Sequence, residues 1–170
     1  MTVRPAPDPG DGPPGAAVDD LAARVAGTVA WAGVVGVGID AVDLDRLRTV
    51  LGRRPRLARR LWTEGELAYA ALAPDPLPRL ATRFAAKEAV MKALGVGLWS
   101  FRLTDVEVVR EGLEAPTVRL HGAAADLARA HGVGRWHLSL THTDTVALAV
   151  VVAEAAPGAA APAAAPTAGR

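Results

Sequence analysis

The stretch RFAAKEAVMKAL, residues 83–94, contains Lys87 and Lys92, the only two lysines in a chain of 170 residues. The other 17 basic side chains are arginines. The stretch runs without glycine or proline up to Gly95, which predicts a helix that ends there. Its alanines would let neighbouring elements approach closely, so we expect this helix to be central to the fold. Unlike arginine, lysine can shift its pKa and transfer a proton, which makes both lysines candidate functional residues.

Glu88 stands between the two lysines, and its surroundings decide what it can do. On a helical wheel it lies beside Phe84 and Met91, and Lys92 follows it four residues later on the same side. One interpretation, favoured for the pair alone, is a solvated Glu88–Lys92 pair that stabilises the helix by about 0.2–0.5 kcal/mol. If the helix is central, however, both side chains need partners from other elements.

Asp40 ends the apolar run VVGVGID, residues 34–40, which predicts a buried strand. A carboxylate there is costly unless it is exposed, hydrogen-bonded or bound to a cation. Taken alone, Asp40 is most simply the N-cap of the next helix. Two acids from separate elements, Asp40 and Glu88, would also suit Mg²⁺, which typically takes one or two carboxylates together with waters and substrate phosphates. That hypothesis requires the two carboxylates to meet.

Residues 33–154 are expected to form one folded domain. Further helices are predicted in three segments: 43–62 on both sides of a glycine–proline break, 65–72 after a capping box at 63–66, and 123–132. Further strands are predicted in two antiparallel pairs: 105–111 with 116–122, and 136–142 with 145–154. Because helices and strands do not alternate regularly, the pattern favours an α+β fold, with an antiparallel sheet packed with helices.

The two ends of the chain have a different composition. Residues 1–16 are rich in proline and glycine and residues 155–170 in alanine and proline, so both are expected to be disordered. Residues 17–32 are a candidate for an extra helix. The sequence has no cysteine, which excludes disulfides and thiolate metal sites. No apolar run reaches the roughly 18–20 residues of a membrane span, and the N-terminus does not resemble a signal peptide. We therefore expect a cytoplasmic protein with no membrane association.

The segment 46–60 carries seven arginines and no acid: Arg46, Arg48, Arg53, Arg54, Arg56, Arg59 and Arg60. One interpretation is a solvated helix face. Nucleic-acid binding is disfavoured because the net charge of the chain is only +1 and the segment has no aromatic residue on which bases could stack. A third interpretation is a docking face for an acidic partner, whose association would be steered by charge and weakened by salt.

Three segments together resemble the small holo-acyl-carrier-protein synthase group of the 4′-phosphopantetheinyl transferases. GVGIDAVDLDRLR, residues 36–48, matches the first motif of that family. RFAAKEAVMKALGVGLW, residues 83–99, matches the second and most specific motif, and LSLTHTDTVALAVVVAE, residues 138–154, matches the third. The three occur in the family's order, and the resemblance implies the family's fold, an antiparallel sheet packed with helices in one compact domain.

The resemblance implies a Mg²⁺-dependent transfer of 4′-phosphopantetheine from coenzyme A to a serine of an apo-acyl carrier protein, in fatty acid or polyketide biosynthesis. The other product is adenosine 3′,5′-bisphosphate. By the same resemblance, Asp40 and Glu88 would hold Mg²⁺, and Glu88, directly or through a water, would help to activate the serine. Lys92 would neutralise or protonate the leaving phosphate oxygen. Four residues would bind the phosphates of coenzyme A: Arg83, Lys87, His142 and Thr143.

The resemblance also implies partners. An acidic carrier protein would dock on the arginine-rich segment, where the candidates are Arg46, Arg48 and Arg53. Members of the family are homotrimers with active sites between neighbouring subunits, so a homotrimer is expected. The alternative of a non-catalytic carrier-binding module would need the arginines but not the two acids and the second lysine, and their joint presence disfavours it.

Overall fold

The computed structural model describes residues 33–97 and 100–157. The predictions for residues 1–16 and 17–32, and for the tail after residue 157, lie outside the described residues. Within the described ranges, no helix is both long enough and apolar enough to cross a membrane.

The described residues form five strands and five α-helices. In chain order these are β1 (Val34–Asp43), α1 (Leu44–Arg53), α2 (Ala58–Leu61), α3 (Glu64–Ala71), α4 (Leu77–Ala93), β2 (Val106–Val109), β3 (Thr117–Leu120), α5 (Gly122–Ala130), β4 (Val133–His142) and β5 (Val146–Ala155). Two short 3-10 turns add to them, Pro55–Leu57 and Leu103–Asp105. The order of elements confirms the predicted α+β class.

The larger sheet is antiparallel and has the strand order β1-β5-β4. β4 and β5 form the predicted hairpin around residues 143–145, and β5 also pairs with β1, so that Asp40 lies opposite Ala149. β2 and β3 form a separate antiparallel pair, also as predicted. The first and third sequence motifs are therefore held side by side by backbone hydrogen bonds.

Helix α4 packs against β1 and β5 and lies at the centre of the core. A Cβ added at Gly36 or Gly38 of β1 would stand 1.9 Å from the carbonyl oxygen of Ala93 or Ala89, respectively. The strand and helix backbones are therefore in direct contact. Four alanines of α4 are buried on the packed faces: Ala85, Ala86, Ala89 and Ala93. The prediction of a central helix with close neighbours is confirmed.

The C-terminal end of α4 follows the sequence prediction. The helix ends at Ala93, and Gly95 adopts a φ of +67°, a conformation that glycine reaches without steric cost. The N–H of Gly95 donates to the carbonyl of Lys92, and the next N–H donates to the carbonyl of Met91, both at 3.0 Å. The helix thus stops just after Lys92, which leaves this lysine in the last turn.

A second hydrophobic cluster holds the arginine-rich segment against the start of α4. It includes Trp62, which is buried and whose indole Nε1–H donates a hydrogen bond to the carbonyl of Leu80 at 3.0 Å. Leu44 and Leu47 of α1 and Leu77 of α4 belong to the same cluster. The helices that carry most of the arginines are therefore fixed in place by apolar contacts.

β1 is not buried on both faces, contrary to the expectation for VVGVGID. The face that carries Gly36 and Gly38 is covered by α4, whereas Val37 and Ile39 on the opposite face are 48% and 55% exposed. Continuous apolar runs indicate strands but do not tell whether both faces are covered within the same chain.

Gly38→Ala is expected to lower the free energy of unfolding by at least about 3 kcal/mol, because its methyl group would overlap the carbonyl of Ala89 and separate β1 from α4. The matched control is Gly52→Ala in α1, where a Cβ meets nothing within 4 Å and alanine favours the helix by up to about 1 kcal/mol. Urea unfolding of both variants measures the difference. Equal stabilities would contradict the direct contact between strand and helix.

Candidate active site

Asp40, Glu88 and Lys92 meet where β1 passes the last turns of α4. The Nζ of Lys92 donates to Asp40 Oδ1 at 2.8 Å and to the carbonyl oxygen of Ile39 at 2.9 Å. Asp40 and Glu88 line the same pocket. Both carboxylates that the metal hypothesis requires therefore face one pocket.

The two simpler interpretations of these acids are wrong. Asp40 is not the N-cap of α1, because Asp43 takes that position and its Oδ1 accepts the backbone N–H of Arg46 at 2.7 Å. Lys92 is salt-bridged to Asp40, not to the glutamate four residues before it. The salt bridge of Lys92 therefore connects α4 to β1 and does not lie along one helix.

Glu88 is half-buried in an unfavourable electrostatic environment. Burial raises the pKa of its carboxyl group, the negative charge of Asp40 raises it further, and Lys92 partly opposes the shift. Its Oε1 is buried and has no hydrogen-bond partner among the described residues. An ionised carboxylate in this position is destabilised unless a cation reaches it.

The pocket has a volume of about 530 Å³ and mixes charged with apolar walls. Its charged side chains are Asp40, Asp43, Arg46 and Glu88. Its apolar walls come from the helical segments: Leu47, Val50, Leu57, Leu61 and Phe84. The volume lies in the range of small-molecule sites, and the walls suit a ligand with both apolar and charged parts.

The donor set of this pocket fits a hard divalent cation. In the described part of the chain, no group of three or more metal-ligating side chains occurs. Mg²⁺ typically needs only one or two carboxylates, because waters and substrate phosphates complete its shell. The unpartnered Oε1 of Glu88, next to Asp40, is an oxygen that such a cation would satisfy. The residues present therefore fit Mg²⁺.

Lys87 does not reach the pocket, and its predicted contact with a phosphate must be corrected. The side chain is 0% exposed. Its three N–H donors are all used: Nζ donates to Glu66 Oε2 at 2.7 Å and to the carbonyls of Leu103 and Val106 at 2.9 and 2.5 Å. Burial lowers the pKa of Lys87, and Glu66 opposes that shift by its charge and its hydrogen bond. Since no donor is left for a substrate, Lys87 is a structural residue of this fold.

Glu66 is the partner that the sequence did not reveal. The capping box predicted for it is present, with Thr63 and Glu66 exchanging side-chain-to-backbone hydrogen bonds at the start of α3. The same buried carboxylate also accepts Lys87 Nζ through Oε2 and the backbone N–H of Val108 through Oε1. One signal could have suggested a buried partner: on the helical wheel, Lys87 lies among apolar residues.

Arg83 is also buried and does not line the pocket. It is 3% exposed, its guanidinium stacks on the ring of Tyr69 at 4.1 Å, and its NH1 donates to the carbonyl of Arg79. Its Nε has no hydrogen-bond partner within the described ranges. The contact with coenzyme A implied by the motif stays a prediction.

His142 and Thr143 lie at the β4–β5 turn and do not line the pocket of Asp40. The Oγ1 of Thr143 accepts the backbone N–H groups of Thr145 and Val146 at 3.3 and 3.1 Å, which fixes the turn. Both side chains are exposed. Their predicted role on the phosphates of coenzyme A stays a prediction.

The three arginines predicted to dock a carrier protein have different surroundings. Arg46 lines the pocket together with Asp40, and Arg53 is exposed in the last turn of α1. Arg48 is salt-bridged to Asp75 at 3.1 Å. Because exposed pairs of this kind contribute only about 0–1 kcal/mol, a partner could still compete for Arg48.

The sequence profile of the 4′-phosphopantetheinyl transferase superfamily matches residues 36–151, the span that holds the strand of Asp40, helix α4 and most of the final hairpin. The chain belongs to this superfamily. Several curated relatives are named holo-[acyl-carrier-protein] synthase. The one from Frankia casuarinae is 49% identical over 124 residues, which cover 71% of this chain and 98% of the relative.

Solved structures agree with this assignment. The holo-[acyl-carrier-protein] synthase from Neisseria meningitidis is 32% identical, with a TM-score of 0.66 over 71% of this chain and 98% of that one. The enzyme from Bacillus anthracis, in complex with CoA (3′,5′-ADP), is 30% identical, with a TM-score of 0.61 over 74% of this chain and 100% of that one. The resemblance inferred from the three motifs and the predicted fold are both confirmed.

Lys87→Met is expected to lower the free energy of unfolding by about 3–5 kcal/mol, because it leaves the buried charge of Glu66 without a partner. Adding Glu66→Gln to the Lys87→Met variant should recover part of the lost free energy of unfolding, because the side chain left at position 66 is then neutral. The control is Lys92→Met, which removes a lysine whose side chain is 53% exposed and should cost at most about 1 kcal/mol. Equal stabilities of Lys87→Met and Lys92→Met would contradict the importance of the buried pair.

Proposed function

We propose that this chain transfers the 4′-phosphopantetheine group of coenzyme A to a serine hydroxyl of an apo-acyl carrier protein and releases adenosine 3′,5′-bisphosphate. The observation that carries the proposal is that Asp40 and Glu88 line one pocket and that Lys92 is salt-bridged to Asp40 beside it. The names of the relatives support the choice of reaction, as does the complex of the Bacillus anthracis enzyme with CoA (3′,5′-ADP).

Asp40 and Glu88 are the proposed ligands of Mg²⁺. The support is the presence of both carboxylates in the lining of one pocket and the unpartnered Oε1 of Glu88. When bound, the ion would neutralise charge on the pyrophosphate of coenzyme A. The two protein ligands come from β1 and α4, whose backbones are in contact, so their separation is set by the packing of the core.

In the proposed reaction, the serine oxygen forms a bond to the β-phosphorus of coenzyme A, and the bond from this phosphorus to the bridging oxygen breaks. The bonding electrons stay on the leaving adenosine 3′,5′-bisphosphate, and the serine proton passes to a base. Glu88, directly or through a water, is the candidate base because its carboxylate lines the pocket. Positioning and charge neutralisation should supply most of the rate.

Lys92 has a proposed role that arginine would not fill. Two of its three N–H donors are used by Asp40 and by the carbonyl of Ile39, and the third would donate to an oxygen of the leaving phosphate. Lysine can also give up its proton to that oxygen, whereas the guanidinium group of arginine stays protonated. The contact with Asp40 would keep the ammonium group in place before the substrate arrives.

The transfer is tested by incubating the protein with coenzyme A, Mg²⁺ and several apo-carrier proteins and measuring the mass of each carrier. We expect the increment of one phosphopantetheine group, and no increment after Mg²⁺ is chelated. Glu88→Gln and Lys92→Arg should fold but lose about 100-fold or more of the rate. The control variant is Glu114→Gln, which changes an exposed glutamate outside the pocket.

The outcomes separate the parts of this proposal. A folded protein that modifies none of the carriers would refute the proposed function. Full activity of Lys92→Arg would refute proton transfer by Lys92 and leave the reaction itself standing. Full activity in the presence of the chelator would refute the role of Mg²⁺.

An acidic carrier protein is the proposed macromolecular partner. Arg46 and Arg53 are its candidate contacts on α1, together with Arg48 once Asp75 has been displaced. Arg46 lines the catalytic pocket, which supports this choice. When the serine of the carrier protein enters the pocket, the acidic surface of the carrier around that serine would lie close to α1.

We also propose that copies of the chain associate as a homotrimer through the uncovered face of the larger sheet. Val37 and Ile39 are exposed on this face, and Val150 lies opposite Ile39 in the register. Contiguous apolar patches of this kind are typical of protein interfaces. In such an assembly, His142 and Thr143, which lie outside the pocket of their own chain, could serve the pocket of a neighbour.

Ile39→Asp is expected to reduce the mass in solution from that of three chains to that of one, because association would bury an unpaired carboxylate from each copy. The substitution keeps the backbone carbonyl that accepts Lys92. Leu113→Asp is the control, since Leu113 is an exposed residue outside the larger sheet. Light scattering after size-exclusion chromatography measures the masses. A single-chain mass for the unmodified protein would contradict the homotrimer.

A further inference from the structure

Tyr69, in the last turn of α3, is in contact with three arginines. The guanidinium carbons of Arg79 and Arg83 lie 4.7 and 4.1 Å from the centre of its ring. The NH1 group of Arg110, which follows β2, donates to its hydroxyl oxygen at 3.3 Å. Two of these arginines come from α4 and the third from the end of β2, so the fold assembles them. We call these four residues the tyrosine–arginine cluster.

Hydrogen bonds to the backbone connect the members of the tyrosine–arginine cluster. NH1 of Arg79 donates to the carbonyl of Tyr69 at 2.9 Å, and NH1 of Arg83 donates to the carbonyl of Arg79 at 3.1 Å. A guanidinium group that stacks on an aromatic ring gains a favourable electrostatic contact. Arg83, which is 3% exposed, is therefore oriented by one backbone carbonyl and by the ring of Tyr69.

The electrostatic environment of the Tyr69 hydroxyl group is positive. Burial raises the pKa of this phenol, whereas the hydrogen bond from Arg110 and the charges of the three arginines lower it, and the net shift is downward. Guanidinium groups that lie this close repel one another, so the shared contacts with Tyr69 help to keep them together. A phosphate group would be favoured beside them, because arginine presents several N–H donors in the geometry that phosphate oxygens accept.

We propose that Tyr69 is a positioning residue for coenzyme A, whose ring holds the guanidinium group of Arg83 in the orientation that binds a phosphate of this substrate. The inference rests on the proposed function and on the predicted contact of Arg83 with coenzyme A, and it adds the residue that holds this arginine. Tyr69 does not line the pocket of Asp40 and Glu88, so it acts on substrate binding through Arg83. An arginine that is already oriented loses less conformational freedom when the substrate binds.

The test compares Tyr69→Leu, which removes the ring, with Tyr69→Phe, which keeps the ring and removes only the hydroxyl group. In steady-state transfer to an apo-carrier, we expect Tyr69→Leu to raise the KM for coenzyme A about tenfold. The rate at saturating coenzyme A and the carrier KM should change less than about twofold, because a contact made equally in the ground and transition states affects KM alone. Tyr69→Phe should stay within about threefold of the unmodified protein in all three parameters, since its ring still stacks on Arg83. Leu72→Ala, at an exposed position that caps the same helix, is the matched control.

A double-mutant cycle with Arg83→Met separates positioning from a general effect on the fold. This substitution keeps an unbranched side chain and removes the charge. In the Arg83→Met background, Tyr69→Leu should have no further effect on the KM for coenzyme A, because the arginine that it positions is gone. If Arg83→Met does not fold, the comparison of Tyr69→Leu with Tyr69→Phe still decides, since equal KM values would show that the ring does not hold Arg83.

Two results would overturn the inference: an unchanged KM for coenzyme A in Tyr69→Leu, or an equal rise of this KM with and without Arg83. Binding of coenzyme A in the absence of a carrier, measured by isothermal titration calorimetry, makes the same comparison without the transfer reaction. If the unmodified protein transfers nothing to any carrier, the proposed function fails. If it transfers normally and Tyr69→Leu keeps full affinity for coenzyme A, only the inference about Tyr69 fails.

Discussion

The buried salt bridge between Lys87 and Glu66 is the constraint on which the rest of the site depends. It joins α3, α4 and β2, because Glu66 also accepts the backbone N–H groups of Thr63 and Val108, and Lys87 also donates to two carbonyls. All three donors of the lysine and both oxygens of the glutamate are thereby used. A buried pair that lost one partner would be strongly destabilising. Helix α4 therefore cannot rotate or slide without losing these bonds.

The two lysines of α4 lie on different sides of the helix and have different partners. Lys92 lies five residues after Lys87, which corresponds to a rotation of about 140° around the axis. One lysine therefore enters the interior, and the other reaches Asp40 at the edge of β1. The contact between Gly38 and the backbone of Ala89 sets the distance from the strand to the helix. The same packing that stabilises the core thus positions Asp40 and Glu88 at the pocket and Lys92 beside Asp40.

Three features of the surface consist of charged or apolar groups that have no partner within the described residues. Glu88 keeps an unpartnered oxygen in the pocket, and a second cavity, lined by Arg54, Arg59, Arg60 and Arg102, lies beside it. On the other face of the larger sheet, β1 exposes Val37 and Ile39. The first and third of these features support the proposed cation site and the proposed self-association.

The sequence by itself determined the features that depend on near neighbours in the chain: the helix of residues 83–94 and its glycine ending, the capping box, the final hairpin, and the acids and lysine of the motifs. Only the tertiary structure decided that Lys87 pairs with Glu66, 21 residues away, and that Lys92 pairs with Asp40, 52 residues away. It also decided that one face of β1 stays uncovered and that Arg102 lines the same cavity as arginines of the segment 46–60. The physical reason is that periodicity and capping depend on residues a few positions apart, whereas the partner of a buried charge depends on which elements pack together.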